Sequence, residues 1–249
     1  MRCRGCEPQL ASRVHDWPMR EFDVILFDAG GVLVLPDPTV LGPLLAYYGG
    51  DPSVVAHVRA HYRAMAVKGR AGAGETSWRE YHAAYVRSVG VSETTAATAT
   101  QAMGLTFNGH LWRWPIAEHV SALRALASAA MPIGIVSNAH GQIEEALRRS
   151  GVCQVGPGPH VPVRCVIDSH VVGVAKPDPR IFDFALRHFD GVARDRVAYV
   201  GDTLTMDVAG ARAAGLRPIL LDPFDDHAGA EVDRIRSLRD LVSQTPTDL

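Results

Sequence analysis

Lysine is nearly missing from this chain: of its 25 basic residues 23 are arginine, and the two lysines are Lys68 and Lys176. Such a bias reflects base composition, which makes each surviving lysine a candidate for a specific task. Cysteine is scarce too, with four in 249 residues, too few for a disulfide framework. Cys3 and Cys6 supply half of a zinc site at most, because a structural zinc takes four ligands and no second paired cluster follows. Cys153 and Cys165 read as small buried hydrophobes. No apolar run approaches the ~20 residues of a membrane span. The best stretch, Leu123 to Val136, is broken by Ser128 and Pro132. Met1 to Arg20 lacks the apolar centre of an export signal. Nor is there an excess of either charge: a net −2 argues against a basic nucleic-acid footprint and a polybasic membrane surface. The expected partners are small molecules or proteins, with no nucleic acid and no membrane, in a reducing cytoplasm.

The hydrophobic content of 47% suits a globular chain of one large or two small domains. Asp23 to Asp28 is a short apolar run closed by Gly30-Gly31, the signature of a strand buried on both faces. Pro132 to Val136, Arg196 to Val200 and Pro218 to Leu221 repeat it. Helical spacing lies between them. Ile116, Val120, Leu123 and Ala127 share one face, and Gln142 to Arg149 stops at Gly151. Asp178 and Pro179 open a helix whose buried stripe is Phe182, Ala185, Leu186 and Phe189. Val208 to Ala214 stops at Gly215. This alternation predicts a Rossmann-like, doubly wound, mainly parallel α/β sheet. Val155 to Pro162 reads as a stiff loop.

Between Pro36 and Trp112 the strand signals vanish. Val55, Val58, Tyr62 and Met65 fall on one helical face, Ser77 to Glu80 has the form of a capping box, and Val91 to Met103 is a further helix. An insertion leaving from the first strand's end is placed to roof the crevice beyond the strands' carboxyl ends. The expected organisation is an extension at 1–18, an α/β core of 19–35 and 113–249, and an α-helical cap at 36–112.

The strand ends carry the chemistry: Asp28, Ser137, then Lys176 in a loop, then Asp202 with Asp207. Each has a plain reading as a turn former, a helix cap or a solvated charge; their order and placement favour convergence on one crevice. A carboxylate attacks phosphorus only when its charge and the phosphate's are offset, which calls for a fixed ammonium and a cation held by other carboxylates. Hard oxygen ligands suit Mg2+. A hydroxyl and backbone N–H groups at a strand-to-helix turn suit the phosphoryl oxygens.

These residues stand in four motifs. They are Phe27-Asp28-Ala29-Gly30-Gly31-Val32-Leu33, Ile135-Val136-Ser137-Asn138, Val174-Ala175-Lys176-Pro177-Asp178-Pro179, and Val200-Gly201-Asp202-Thr203-Leu204-Thr205-Met206-Asp207. In these, and in their order, the chain resembles the haloacid dehalogenase (HAD) superfamily over residues 21–222. The resemblance implies a hydrolase, foremost an Mg2+-dependent phosphatase of small phosphorylated metabolites. Asp28 would be the nucleophile that becomes phosphorylated, and Ser137 and Lys176 would hold the phosphoryl group with Asn138 and Gly31. Asp28, the Gly30 carbonyl, Asp202 and Asp207 would hold the cation directly or through water.

Two positions depart from the family pattern. Phosphatases of the superfamily usually carry an aspartate two residues after the nucleophile, as general acid and base, and here that residue is Gly30. Met206 stands where asparagine is common. Gly30 opens three readings: a phosphatase with a substitute proton carrier such as His140, a dehalogenase, or a fold that binds a phosphorylated ligand without turnover. Dehalogenases generally lack the acid pair kept here as Asp202 and Asp207, which favours phosphate chemistry. An aspartate restored at position 30 is expected to speed alkyl phosphates. Response-regulator receivers have a similar constellation, but their acidic pair comes first in the sequence. Lys68 and Arg70 are candidate contacts to a substrate anion. His57 and His61, four apart on a cap helix, have the spacing of a metal-ligand pair but read foremost as a solvated face, and Trp78, Trp112 and Trp114 as packing and hinge residues.

Overall fold

The structure, a computed structural model, describes residues 22–70 and 78–242. The extension with Cys3 and Cys6 lies outside them, as does Ser77. In chain order the elements begin with β1 (Val24–Phe27) and β2 (Val34–Pro36), followed by four helices. These are α1 (Pro38–Ala46), α2 (Val54–Arg70), α3 (Arg79–Ser88) and α4 (Glu93–Thr106). Then come β3 (Trp112–Pro115), α5 (Ala117–Ser128), β4 (Ile133–Ser137), α6 (Ile143–Arg149), β5 (Cys153–Val155), β6 (Val161–Val163) and β7 (Val166–Asp168). The chain continues with α7 (Ser169–Val172), α8 (Arg180–Leu186), β8 (Val197–Gly201), α9 (Ala209–Ala213), β9 (Arg217–Leu221) and β10 (Asp233–Ile235).

Six strands form one sheet in the order β10-β9-β8-β1-β4-β7, and every pair in it is parallel. The period-2 alternation of a strand sends the residues of β1 into two cores. Ile25 and Phe27 pack on one face with Leu123, Ile135 and Val200. Val24 and Leu26 pack on the other with Phe182, Val136 and Tyr199. Burial on both faces explains why β1 is an unbroken apolar run. After β1 the chain builds outward through β4 to β7, then returns to β8 on the opposite side and builds outward again. The order therefore reverses at β1, and a ligand crevice belongs beyond the carboxyl ends of β4, β1 and β8.

The two points where the helical insertion leaves and rejoins the sheet pair with each other: β2 and β3 are antiparallel, with Leu35 opposite Trp114. Asp37 caps α1 by accepting from the Thr39 N–H at 2.9 Å and also holds Arg113 at 2.8 Å. Helices α1 to α4 have a core of their own, built on Leu41, Leu45, Tyr81, Tyr85, Val86 and Met103.

Several local expectations need correction. Helix α3 starts at Arg79 with Trp78 as its cap residue, and the expected capping box begins at Ser77, outside the described residues. The cap position of α8 is Pro179, although Asp178 does accept from the Arg180 N–H at 3.0 Å. The segment read as a stiff loop is flanked by the short parallel pair β5 and β6. The helix expected from Val208 opens earlier, with a π-helical turn over Leu204–Val208. On α2 the buried face is not the one that the valines suggest. Val55 is 76% exposed, while His57 and His61 are buried. Their Nδ1 atoms lie 2.9 Å from the Tyr85 and Tyr81 hydroxyls of α3. Hydroxyl partners across the helix pair meet one nitrogen of each buried ring, while among the described residues neither Nε2 has a hydrogen-bond partner.

Candidate active site

Asp28 follows β1, Ser137 ends β4, Asp202 follows β8, and Lys176 and Asp207 come from the adjoining loop and π-helical turn. All five line one cleft. Ligand oxygens of Asp28, Asp202 and Asp207 lie within 4.8 Å of one another. Lys176 Nζ sits among them, 2.9 Å from Asp28 Oδ2 and 2.7 Å from Asp207 Oδ1. The Ala29 N–H donates to Asp28 Oδ1 at 2.7 Å, which fixes the plane of that carboxylate.

The electrostatics follow from three acids buried with one central ammonium. Burial pushes the Asp28 carboxyl up to about 7 against the pull of Lys176. Burial, reinforced by repulsion from Asp207, pushes Asp202 up to about 8. Burial alone would lower the Lys176 ammonium, but Asp207 and Asp28 outweigh it and hold the group above the ordinary lysine range. An acidic cluster this under-compensated is suited to a further positive charge. Among the described residues Asp202 Oδ2 is buried without a hydrogen-bond partner, as a waiting cation ligand would be. Asp207 differs, because Oδ1 accepts from Lys176 and Tyr199 and Oδ2 from the Thr203 N–H and hydroxyl, at 2.9 Å and 2.5 Å. Its first task is to hold Lys176.

The remaining sequence candidates divide. Asn138 lines the cleft, but its side chain clamps the Lys176 backbone from both sides, Oδ1 accepting from the N–H at 2.8 Å and Nδ2 donating to the carbonyl at 3.0 Å. Gly31 is not among the cleft-lining residues. Its N–H donates to the Val34 carbonyl at 2.9 Å and its carbonyl accepts from the Tyr62 hydroxyl at 2.7 Å, so neither group is left for a phosphoryl oxygen. Gly30, His140 and Lys68 line the cleft; Arg70 is exposed and does not. Lys68 is buried at 4% exposure, with its ammonium 4.2 Å from the ring centroid of Trp78.

Trp112 shows what stands in place of the missing carboxylate. A Cβ built on Gly30 would lie 3.0 Å from the Trp112 ring. The indole packs against the position from which the family's second aspartate would extend, so an aspartate restored there requires the ring to give way by a few tenths of an ångström. Trp112 and Trp78 both line the cleft, beyond the packing role expected of them. The sequence reading placed His61 on a solvated face, with metal ligation as its alternative; the ring is buried, and its Nε2 lies 3.4 Å from Asp202 Oδ2. Burial lowers this imidazole to about 3. The signal was available in the i, i+4 pairs His57/His61 and Tyr81/Tyr85, which can face each other across two packed helices.

A family model described as haloacid dehalogenase-like hydrolase matches residues 22–215. The chain belongs to that family. It is 44% identical over 80 residues to a phosphoserine phosphatase of Thermus thermophilus, covering 30% of this chain and 31% of that one. It is 36% identical over 103 residues to the pyrimidine 5'-nucleotidase YjjG of Escherichia coli, covering 41% and 42%. The aligned segments thus span less than half the length of either relative. The crystal structure of a HAD phosphatase from Thermococcus onnurineus superposes with a TM-score of 0.54 at 18% identity, over 88% of this chain and 95% of that one. At that identity the likeness speaks for the fold.

Proposed function

We propose that this chain is a Mg2+-dependent phosphatase of small phosphorylated metabolites, working through a phosphorylated Asp28 beneath a helical cap formed by residues 36–112. The observation that carries this reading is the gathering of three buried carboxylates around Lys176 at the reversal point of the sheet. The donor set fits Mg2+, being all hard oxygen with one unpartnered buried carboxylate oxygen. Asp28, Asp202 and the Gly30 carbonyl would hold the ion, with Asp207 behind them. When bound, it offsets negative charge between Asp28 and the phosphoryl oxygens. The phosphatase and nucleotidase names of the relatives support the choice of phosphate.

The protein's own groups then divide the work. An Asp28 oxygen attacks phosphorus, the bond to the leaving oxygen breaks, and its electrons depart with that oxygen. Lys176 and the Ser137 hydroxyl stabilise the transferring oxygens, while Asn138 and Asp207 keep Lys176 in place. Water later cleaves the acyl phosphate. No carboxylate at position 30 protonates the leaving group, so acidic leaving groups, aryl and acyl, are favoured. His140, on the cleft wall, is the proposed proton carrier for the water step.

Hydrolysis of p-nitrophenyl phosphate with Mg2+, and its loss with chelator, tests the reading; turnover unaffected by chelator overturns it. Gly30 by itself also suits carbon–halogen cleavage, which needs no protonated leaving group. Halide release from 2-chloropropionate without metal would transfer the site to that reaction. The expected result is none.

A further inference from the structure

Helix α2 reaches the acidic cluster through His61. The imidazole is buried at 1% exposure, and its Nε2 stands 3.4 Å from Asp202 Oδ2. Both atoms are buried, and neither has a hydrogen-bond partner among the described residues. The other ring nitrogen is anchored, Nδ1 lying 2.9 Å from the Tyr81 hydroxyl. The ring edges meet Tyr62 and Trp112 at centroid distances of 5.1 Å and 5.5 Å. A buried phenol needs an acceptor for its hydrogen, and Nδ1 is the acceptor at hand. Tyr81 therefore donates, and the ring's own hydrogen sits on Nε2, facing Asp202.

The approach exists because Gly31 has no side chain. A Cβ there would fall 2.0 Å from Asp202 Oδ2 and 3.0 Å from His61 Nε2. Tyr62, the next residue on α2, donates its hydroxyl to the Gly31 carbonyl at 2.7 Å. Two successive side chains of the cap helix thus dock on the nucleophile loop and the acid beside it. His61 is not itself in the set of ligand atoms that lie within 4.8 Å of one another, which is Asp28, Asp202 and Asp207. Its reach extends to one ligand, from outside.

We propose that His61 is a positioning residue for the cation: from the cap, the polar approach of its Nε2–H to Asp202 Oδ2, at 3.4 Å, favours the carboxylate orientation that grips a divalent ion. Cation binding and the docking of α2 on the core are then one linked event. Linkage is reciprocal, so a bound ion steadies α2 as much as His61 steadies the ion. The inference rests on the reading of the acidic cluster as a cation site.

Mn2+ binding to the full chain, followed by the electron paramagnetic resonance of the free ion, tests it without turnover. His61→Ala is expected to weaken binding by about 10–100-fold, the usual effect of removing a hydrogen-bond partner from a metal-holding group. His61→Gln, which keeps an N–H donor, recovers most of the loss. Tyr81→Phe preserves the packing but frees the ring to place its hydrogen on Nδ1, and weakens binding in the same direction. It serves as the folded comparison should His61→Ala fail to fold. Amide hydrogen exchange in α2 slows on adding Mg2+ to the wild type and not to the His61 variant. Folded variants that bind Mn2+ as tightly as wild type overturn the inference and leave the cation site standing. A wild type that binds no Mn2+ overturns both.

Discussion

In the proposed reaction, Gly30 and Trp112 together decide which leaving groups the cleft can expel. A positioned general acid contributes ~10²–10⁴-fold, about 3–5 kcal/mol of barrier. That term is absent here, and the indole ring packs against the position from which it would come. The ratio of kcat/KM for p-nitrophenyl phosphate over glycerol 3-phosphate is therefore expected to be large, and near-equal rates would contradict the account. Gly30→Asp alone does not lower that ratio, because the new side chain meets Trp112. Gly30→Asp with Trp112→Ala does lower it, by faster alkyl turnover. Lys68 offers a second prediction. Its buried ammonium lines the cleft beside Trp78, placed to meet a second anionic group of a substrate. Lys68→Met is expected to lower the preference for 4-carboxyphenyl phosphate over phenyl phosphate about tenfold, as for a lost hydrogen bond to a charged group. An unchanged ratio would contradict this. Both lysines were legible as candidates from their rarity; the indole over Gly30 was not, since nothing in residues 30 and 112 announces their proximity.

Elements were legible where the pattern ran long enough to have a period. β1, β4, β8 and β9 stand close to where their apolar runs place them, whereas the fully buried face of α5 is His119, Ala122, Leu123 and Leu126, with Ile116, Val120 and Ala127 half-buried at its edges. Strands of three residues, such as β5, β6, β7 and β10, are shorter than any window in which alternation shows. The face of α2 was misread because its buried residues include imidazoles whose Nδ1 atoms pair with tyrosine hydroxyls of α3, a pairing that hydrophobicity does not register. A similar buried imidazole ties α5 to the nucleophile loop. His119 is 1% exposed and its Nδ1–H donates to the Val32 carbonyl at 2.7 Å. Burial lowers its pKa. The unfolded chain takes up a proton there near pH 6.5 and the folded chain does not. The stability that His119 supplies is thus present above that pH and lost as pH falls below it. Between about pH 7.5 and pH 5.5 the unfolding midpoint of His119→Asn is expected to fall less than that of wild type. Parallel falls would remove His119 from the acid sensitivity.

The whole molecule is arranged so that one reversal of strand order and one helical insertion meet over the same cleft. Sequence order put the acids at strand ends, but only the sheet order β8-β1-β4 brings them side by side. Among the described residues no helix is long and apolar enough to cross a membrane. The central claim is that a buried carboxylate takes the phosphoryl group while Lys176 and a divalent ion offset the charge around it. The most direct measurement is acid quenching during turnover of acetyl phosphate with Mg2+, followed by mass spectrometry of the proteolytic peptides. The account predicts a phosphoryl adduct on Asp28, absent with chelator and absent in Asp28→Asn. Turnover with the adduct on another residue, or undiminished turnover by Asp28→Asn, would contradict it.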